Sequence, residues 1–294
     1  MVPTIRILFG LAITFFALFS CGITREIQRV DPKPNPKLMP GESAIRIYWV
    51  GHATTLIRIG DKWILTDPIW KNHLWGTFWR YVEPGIDLGN LPKLDAILIS
   101  HAHFDHMDND TLSRLSKDTE LFLPLGSPNY ESYGFKKIHY VKEGFVWEKN
   151  QLRITSHPAK HFGGRWLIDN LWDGDPYTGY VIENKGKKIY FAGDTGYDEN
   201  LFRSLAPKEM DVAILPMGPY RGLGGELGNA VHVNPKGAVR AFQDTKAKFM
   251  VPMHYGTFYT TPETEFPYVK DAIENSPLRE RIRLLRQGDF ADFP

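Results

Sequence analysis

Three histidines and an aspartate fall within six residues: His101, His103, Asp105 and His106, in the string Ser100-His101-Ala102-His103-Phe104-Asp105-His106. Imidazole nitrogen and carboxylate oxygen are the ligand atoms that suit zinc and similar borderline divalent ions. A polar loop that happens to be rich in histidine is the plainer reading, and the specific order His-x-His-x-Asp-His argues against it. On one regular helix or strand these spacings would splay some of the side chains apart, whereas a loop lets them converge. The flanks imply such a loop. Ala96-Ile97-Leu98-Ile99 reads as a buried strand, and Asp108 and Asp110 ahead of Leu112 and Leu115 read as a helix start.

The other candidates also stand where expected strands end. His157 and His161 lie near the end of a strand expected to close at 157, Asp194 follows Ile189-Tyr190-Phe191-Ala192, and His254 follows the run 249–253. Loops at strand ends are where α/β proteins assemble sites. Period-two alternation and apolar runs predict strands at 45–50, 54–59, 63–66, 121–123, 138–141, twice within 145–157, at 177–184 paired with 188–192, and at 212–216 and 249–253. Helices are expected near 129–133 and at 199–205, 235–245, 263–275 and 278–281, the third capped by Asn234 with proline at its first position. Segment 70–89, with Trp70, Trp75, Phe78, Trp79 and Tyr81, fits no period and reads as a long loop. Strands, a helix, then strands again, twice over, indicate an α/β protein with sheets inside and helices outside. The pattern alone does not choose among layered α/β folds.

The motif resembles the signature of the metallo-β-lactamase superfamily, and the likeness extends over residues 45–290. Trp49-Val50-Gly51-His52-Ala53-Thr54, Leu65-Thr66-Asp67-Pro68-Ile69, Pro158-Ala159-Lys160-His161-Phe162, Ala192-Gly193-Asp194-Thr195-Gly196-Tyr197, His232-Val233-Asn234-Pro235 and His254-Tyr255-Gly256-Thr257-Phe258 look like the branch containing N-acyl-phosphatidylethanolamine-hydrolysing phospholipase D and its bacterial relatives. The resemblance implies a four-layer αβ/βα sandwich. It implies two divalent metal ions, zinc first and iron or manganese as alternatives, with His101, His103 and His161 on one, Asp105, His106 and His254 on the other, and Asp194 bridging. The text Pro-x-x-His-aromatic favours His161 over His157. His52 and Asp67 resemble positions beside the metals that orient ligands. Asp105 and His232 would be the catalytic residues, His232 donating a proton to a leaving group or binding phosphate; the plainer reading of His232 is an exposed histidine ahead of a helix. His103 stands where the redox di-iron branch carries Glu, which favours hydrolysis.

The reaction so implied is hydrolysis of a phosphodiester, with a phospholipid of the N-acyl phosphatidylethanolamine type as leading substrate. The rivals are a lactone or amide hydrolase of the same superfamily and a non-catalytic metal-binding lipoprotein. The aromatic segment, with Phe162, Trp166 and Trp172, either walls a groove for acyl chains or caps the core. It lacks that branch's shorter, more polar run after the Asp-Pro turn. His73 and His139 have no partners in sequence and read as surface residues.

Composition bounds the rest. The 294 residues are 43% hydrophobic with net charge +1, enough for a sizeable core and without the basic stripe that nucleic acid requires. The single cysteine excludes internal disulfides. Residues 1–21 hold Arg6, an apolar run over 7–19 and Leu18-Phe19-Ser20-Cys21, which resembles a signal peptide ending in a bacterial lipobox. Lipidation of Cys21 would hold the protein to a membrane of a bacterial cell envelope. Residues 22–44 are proline-rich and read as an extended tether, leaving 45–294 as the hydrolase domain.

Overall fold

Side-chain alternation along the first strands feeds two separate cores. In this computed structural model, which describes residues 26–39, 43–74, 78–127, 134–164, 177–218, 225–259 and 261–294, strand β1 (Ile45–Gly51) sends Ile45, Ile47 and Trp49 into one apolar cluster and Tyr48 and Val50 into another. β2 (Thr54–Ile59) and β3 (Lys62–Thr66) repeat the division, with Ile57, Ile59 and Ile64 on the first side and Leu56 and Leu65 on the second. A sheet buried on both faces needs apolar residues at both parities, and this one has them. After a short hairpin of β4 (His73–Leu74) and β5 (Phe78–Trp79) come β6 (Ala96–Leu98), β7 (Glu120–Pro124) and β8 (Ile138–Val141). A second run follows: β9 (Val146–Lys149), β10 (Leu152–His157), β11 (Gly179–Asn184), β12 (Lys187–Phe191), β13 (Val212–Pro216) and β14 (Phe249–Met253). β15 (Phe290–Phe293) returns antiparallel to β1.

These strands form a seven-stranded sheet, β15-β1-β2-β3-β6-β7-β8, and a six-stranded sheet, β14-β13-β12-β11-β10-β9. Each is antiparallel on one side and parallel on the other. β3, β6, β7 and β8 are parallel in the first, and β12, β13 and β14 in the second. Helices α1 (Asn109–Arg114), α2 (Glu199–Arg203), α3 (Pro235–Thr245) and α4 (Pro262–Glu274) form the outer layers. Each starts at a capping side chain: Asp108, Asp198, Asn234 and Thr261 accept from the backbone N–H three residues on. Leu112 of α1 joins the cluster outside the first sheet, while Phe202, Ala238, Ala241, Phe242, Val269 and Ile273 join the larger cluster with the second sheet. The layers run helix, sheet, sheet, helix, the four-layer αβ/βα sandwich.

Three local expectations change. Residues 26–39 of the proline-rich stretch lie along the loop after β5 rather than running free. Gln28 pairs with Tyr81 and Glu83 through the backbone, the Val30 N–H donates to Glu83 at 2.8 Å, and Lys33 pairs with Asp87 at 3.0 Å. Loop 70–89 splits in role: Trp70 packs on the outer core and donates to the Ile86 carbonyl, whereas Phe78 and Trp79 are 44% and 41% exposed. His139 is no free surface residue, since it bonds Glu120 at 2.8 Å and stacks on Phe122; His73 is exposed, with its ring beside Trp79. The expected helix at 129–133, the signal-like residues 1–21 with Cys21, and Trp75, Trp166 and Trp172 lie outside the described residues. Among those described, no helix is long and apolar enough to cross a membrane.

Candidate metal centre

The centre forms where the strands of both sheets end. Asp67 follows β3, His101 follows β6, His161 follows β10, Asp194 follows β12 and His254 follows β14. Open α/β sheets bind ligands beyond the carboxyl ends of their strands. A register shift between Trp49 and Gly51 ends the β1–β2 ladder and leads the chain to His52. His52, Asp67 and His254 all hold positive φ, at 53°, 34° and 64°. Left-handed backbone in non-glycine residues costs on the order of 1–3 kcal/mol each, and three such residues in one site are a functional signature.

Three histidines make one end. The ring nitrogens of His101, His103 and His161 converge, with His101 Nε2 2.8 Å and His161 Nε2 3.3 Å from His103 Nδ1. The remote nitrogens are already engaged: His161 Nδ1 faces the Val231 carbonyl at 3.0 Å and His101 Nδ1 faces Ser100 Oγ at 3.0 Å. That arrangement leaves Nε2 of each aimed inward as a lone pair.

Carboxylates dominate the other end. Asp105, His106 and His254 group with His52, their candidate ligand atoms within 4.8 Å of one another. Asp105 Oδ2 lies 3.7 Å from His254 Nε2 and 3.8 Å from His106 Nε2. Asp194 Oδ2 lies 3.1 Å from His106 Nε2 and 3.2 Å from His254 Nε2. Asp194 also groups with His101 on one side and with His161 and His232 on another, so it stands between the two ends. Behind them Asp67 is fully buried. Its Oδ1 accepts from the Ser100 N–H at 2.7 Å, and its Oδ2 from Ser100 Oγ at 2.6 Å and His106 Nδ1 at 2.8 Å.

Electrostatics separate the ends. Burial lowers His101 and His103 and pushes His161 down to about 3, so the three-histidine end is neutral. Burial acts the same way on His52, taking it to about 3 with His254 nearby. At the other end burial is overcome. Asp194 and Asp105 hold His106 well above the usual imidazole range and raise His254 to about 9, while His106 and its neighbours hold both carboxylates well below theirs. Two buried carboxylates therefore draw positive charge onto His106 and His254.

The donor set fits a cation. Buried side-chain atoms without a hydrogen-bond partner concentrate here: His106 Nε2, Asp194 Oδ1, His232 Nδ1 and both ring nitrogens of His254. Each such atom costs about 1–3 kcal/mol unless something satisfies it. His106 and His254 lie within ion-pair distance of Asp194 but out of hydrogen-bond alignment. Nitrogen and carboxylate donors in this number suit divalent metals.

All seven candidate ligands from the sequence meet here. His157 does not: its Nε2 faces the Leu201 carbonyl at 3.2 Å and its ring packs on Tyr190, whereas His161 stands with His101 and His103. His232 is no exposed loop histidine. Its side chain is 20% exposed and its Nδ1 is 3.6 Å from Asp194 Oδ2. Sequence reasoning missed Tyr259, whose hydroxyl donates to Asp105 Oδ2 at 2.7 Å. It also missed Arg80, fully buried beneath Phe258 and donating to the Lys71 and Ile69 carbonyls. Neither lies in a ligand-like text, though Tyr259 directly follows the His254 motif.

The Beta-lactamase superfamily domain matches residues 62–255. An uncharacterized protein of Mycobacterium tuberculosis is 32% identical over 249 residues, covering 79% of this chain and 64% of that protein, so the chain spans just under two thirds of that relative. The N-acyl-phosphatidylethanolamine-hydrolyzing phospholipase D 1 of Caenorhabditis elegans is 29% identical over 263 residues, covering 80% of this chain and 72% of its own length. A solved metallo hydrolase from the archaeon Ignicoccus hospitalis shares the fold with a TM-score of 0.62 at 23% identity, covering 85% of this chain and 98% of its own.

Proposed function

The chain belongs to the β-lactamase superfamily, and on that premise we propose that it is a metallo-hydrolase that binds two divalent ions, zinc by its donor set, and cleaves a phosphodiester, with a phospholipid of the N-acyl phosphatidylethanolamine type as substrate. The observation that carries this reading is Asp194 standing between a neutral three-histidine end and a carboxylate end, with His232 beside it. Divalent ions in such a pair of sites supply charge for developing phosphoryl oxygens and make hydroxide available near neutral pH. The residues do the rest. Asp67 fixes the His106 tautomer, and the Val231 carbonyl fixes that of His161. His232, whose buried Nδ1 lies 3.6 Å from Asp194 without a hydrogen-bond partner, would hand a proton to a departing alkoxide, against a burial that lowers its pKa below the ordinary imidazole value. Half-exposed Phe78, Phe162 and Tyr259 make the mouth apolar on the side of His103 and Asp105, which suits a substrate with acyl chains. The relative from Caenorhabditis elegans carries the phospholipase name, which supports the same choice.

We place the protein at a bacterial envelope membrane through lipidated Cys21, a reading that fractionation of Cys21→Ser tests, since unaltered membrane association of that variant would end it. The substrate reading is tested by comparing His232→Ala with the unaltered protein on an N-acyl phosphatidylethanolamine, an aryl phosphodiester and a lactone. A positioned histidine acid contributes about 10²–10⁴-fold where the leaving group needs a proton, and little where it does not. The expected result is strong slowing on the phospholipid, much less on the aryl ester, and negligible lactone hydrolysis by either protein. Equal slowing on both phosphodiesters would assign His232 to phosphate binding, and turnover of the lactone alone would overturn the phosphodiester reading.

A further inference from the structure

Asp105 Oδ2, the oxygen that faces His106 and His254, is held by two donors from outside the ligand set. His52 reaches it at 2.9 Å from the turn after β1, and the Tyr259 hydroxyl reaches it at 2.7 Å from the segment after β14. We propose that Tyr259 is a positioning residue for the carboxylate end of the centre, holding Asp105 in the orientation that binds a cation.

The backbone that delivers Tyr259 is fixed at nearly every residue. His254 N–H donates to the His52 carbonyl at 3.0 Å. Gly256, at φ +54°, donates to Glu265 at 2.6 Å. Thr257 Oγ1 accepts from the His52 N–H at 2.9 Å and from Gln287 Nε2 at 2.8 Å, and its carbonyl accepts from the Tyr81 N–H at 2.8 Å. Phe258 sits between the Arg80 guanidinium, 4.5 Å from its ring centre, and the His52 ring at 5.2 Å. A tyrosine set at the end of so constrained a segment reaches Asp105 by construction. One donor leaves a carboxylate free to swing about its last torsion, whereas two donors from different elements fix its plane.

Tyr259 also joins the centre to its rim. Tyr259 is 39% exposed and its ring meets Phe78 edge-on at 5.0 Å. No hydrogen bond or ring contact of Tyr259 reaches His101, His103 or His161 among the described residues, so the three-histidine end serves as an internal control.

The inference rests on the two-ion centre proposed above and is independent of the substrate. The full chain, stripped of metal, is titrated with Zn²⁺ against a competing chromophoric chelator, which resolves the two affinities. Tyr259→Phe keeps the ring and removes only the hydroxyl. Loss of a group that orients a ligand typically weakens metal binding about 10–100-fold. The expected result is that one of the two sites weakens by that factor while the other stays within about twofold. Phe78→Ala, which removes the packing partner and keeps the hydroxyl, should leave both sites unchanged. Unchanged or tighter binding in Tyr259→Phe, equal weakening of both sites, failure of that variant to fold, or an equal effect from Phe78→Ala would each overturn the role. An unaltered protein that binds fewer than two ions would instead refute the centre itself, so the two failures are distinguishable.

Discussion

Replacing Asp67 by asparagine removes one negative charge and exchanges one acceptor for a donor, with almost no change of shape. Asp67 takes three hydrogen bonds, from the Ser100 N–H, Ser100 Oγ and His106 Nδ1. An amide offers a single acceptor oxygen. If that oxygen takes the position facing His106, its NH₂ meets the Ser100 N–H. If the amide is reversed, the NH₂ meets His106 Nδ1 and drives the proton to Nε2, the nitrogen that must be a lone pair to bind metal. The first arrangement leaves a buried donor against a donor and the second leaves the Ser100 hydroxyl without its acceptor, either worth about 1–3 kcal/mol of folding free energy. At about 2–4 °C per kcal/mol for a chain of this size, the metal-free protein should melt several degrees lower. Metal affinity should fall about 10–100-fold, or roughly 1.4–2.7 kcal/mol, the typical effect of losing the partner that orients a ligand histidine. Zn²⁺ competition titration and thermal melting of Asp67→Asn measure the two effects separately. A variant with unchanged Zn²⁺ affinity would refute the claim that Asp67 sets the His106 tautomer.

Gly193 sits at φ +61° between β12 and Asp194, and a Cβ there would collide with Ser100 Cβ; Gly193→Ala should therefore lose about 1–3 kcal/mol of stability, read as a lower melting temperature. In the metal-free protein the folded His254 titrates at about 9, above the ~6.5 of an unfolded histidine. A raised folded value stabilises fully below the unfolded one and is lost as pH rises through the folded one, so from this group metal-free melting temperature should fall between pH 6.5 and 9. Zn²⁺ needs His254 deprotonated, so the stabilisation it adds should grow over the same window. His161→Ala should lose bound metal, whereas His157→Ala should keep it and lose only stability, because His157 bonds the Leu201 carbonyl and packs on Tyr190; metal analysis of both variants checks this.

The candidate ligands were legible because each stands at or just after the end of an expected strand, where the strand pattern and the residue type agree. Strands 212–216 and 249–253 and helix 235–245 with its Asn234 cap appear as read, since strong periodicity and a capping side chain act locally. β15 was missed: Phe290-Ala291-Asp292-Phe293 is too short to show a period and is held by pairing with β1 and by Asp292 on Arg46. Tyr259 and Arg80 were missed because their partners are 154 residues away in one case and backbone carbonyls in the other. Neither kind of contact leaves a sequence spacing. The strap 26–39 was read as free because proline-rich composition describes what a segment lacks in apolar surface. Its docking depends on Lys33, Val30 and Gln28 meeting Asp87, Glu83 and Tyr81.

If Asp194 joins two cation sites, the metal content of Asp194→Asn shows it most directly. Removing a shared carboxylate leaves less negative charge to hold two dications close together, and the Coulomb cost of the pair rises. Elemental analysis of protein purified without chelator should give two metal ions per chain for the unaltered protein and one or fewer for Asp194→Asn, with the variant still folded by circular dichroism. Two ions retained in folded Asp194→Asn, or a single ion in the unaltered protein, would contradict the account.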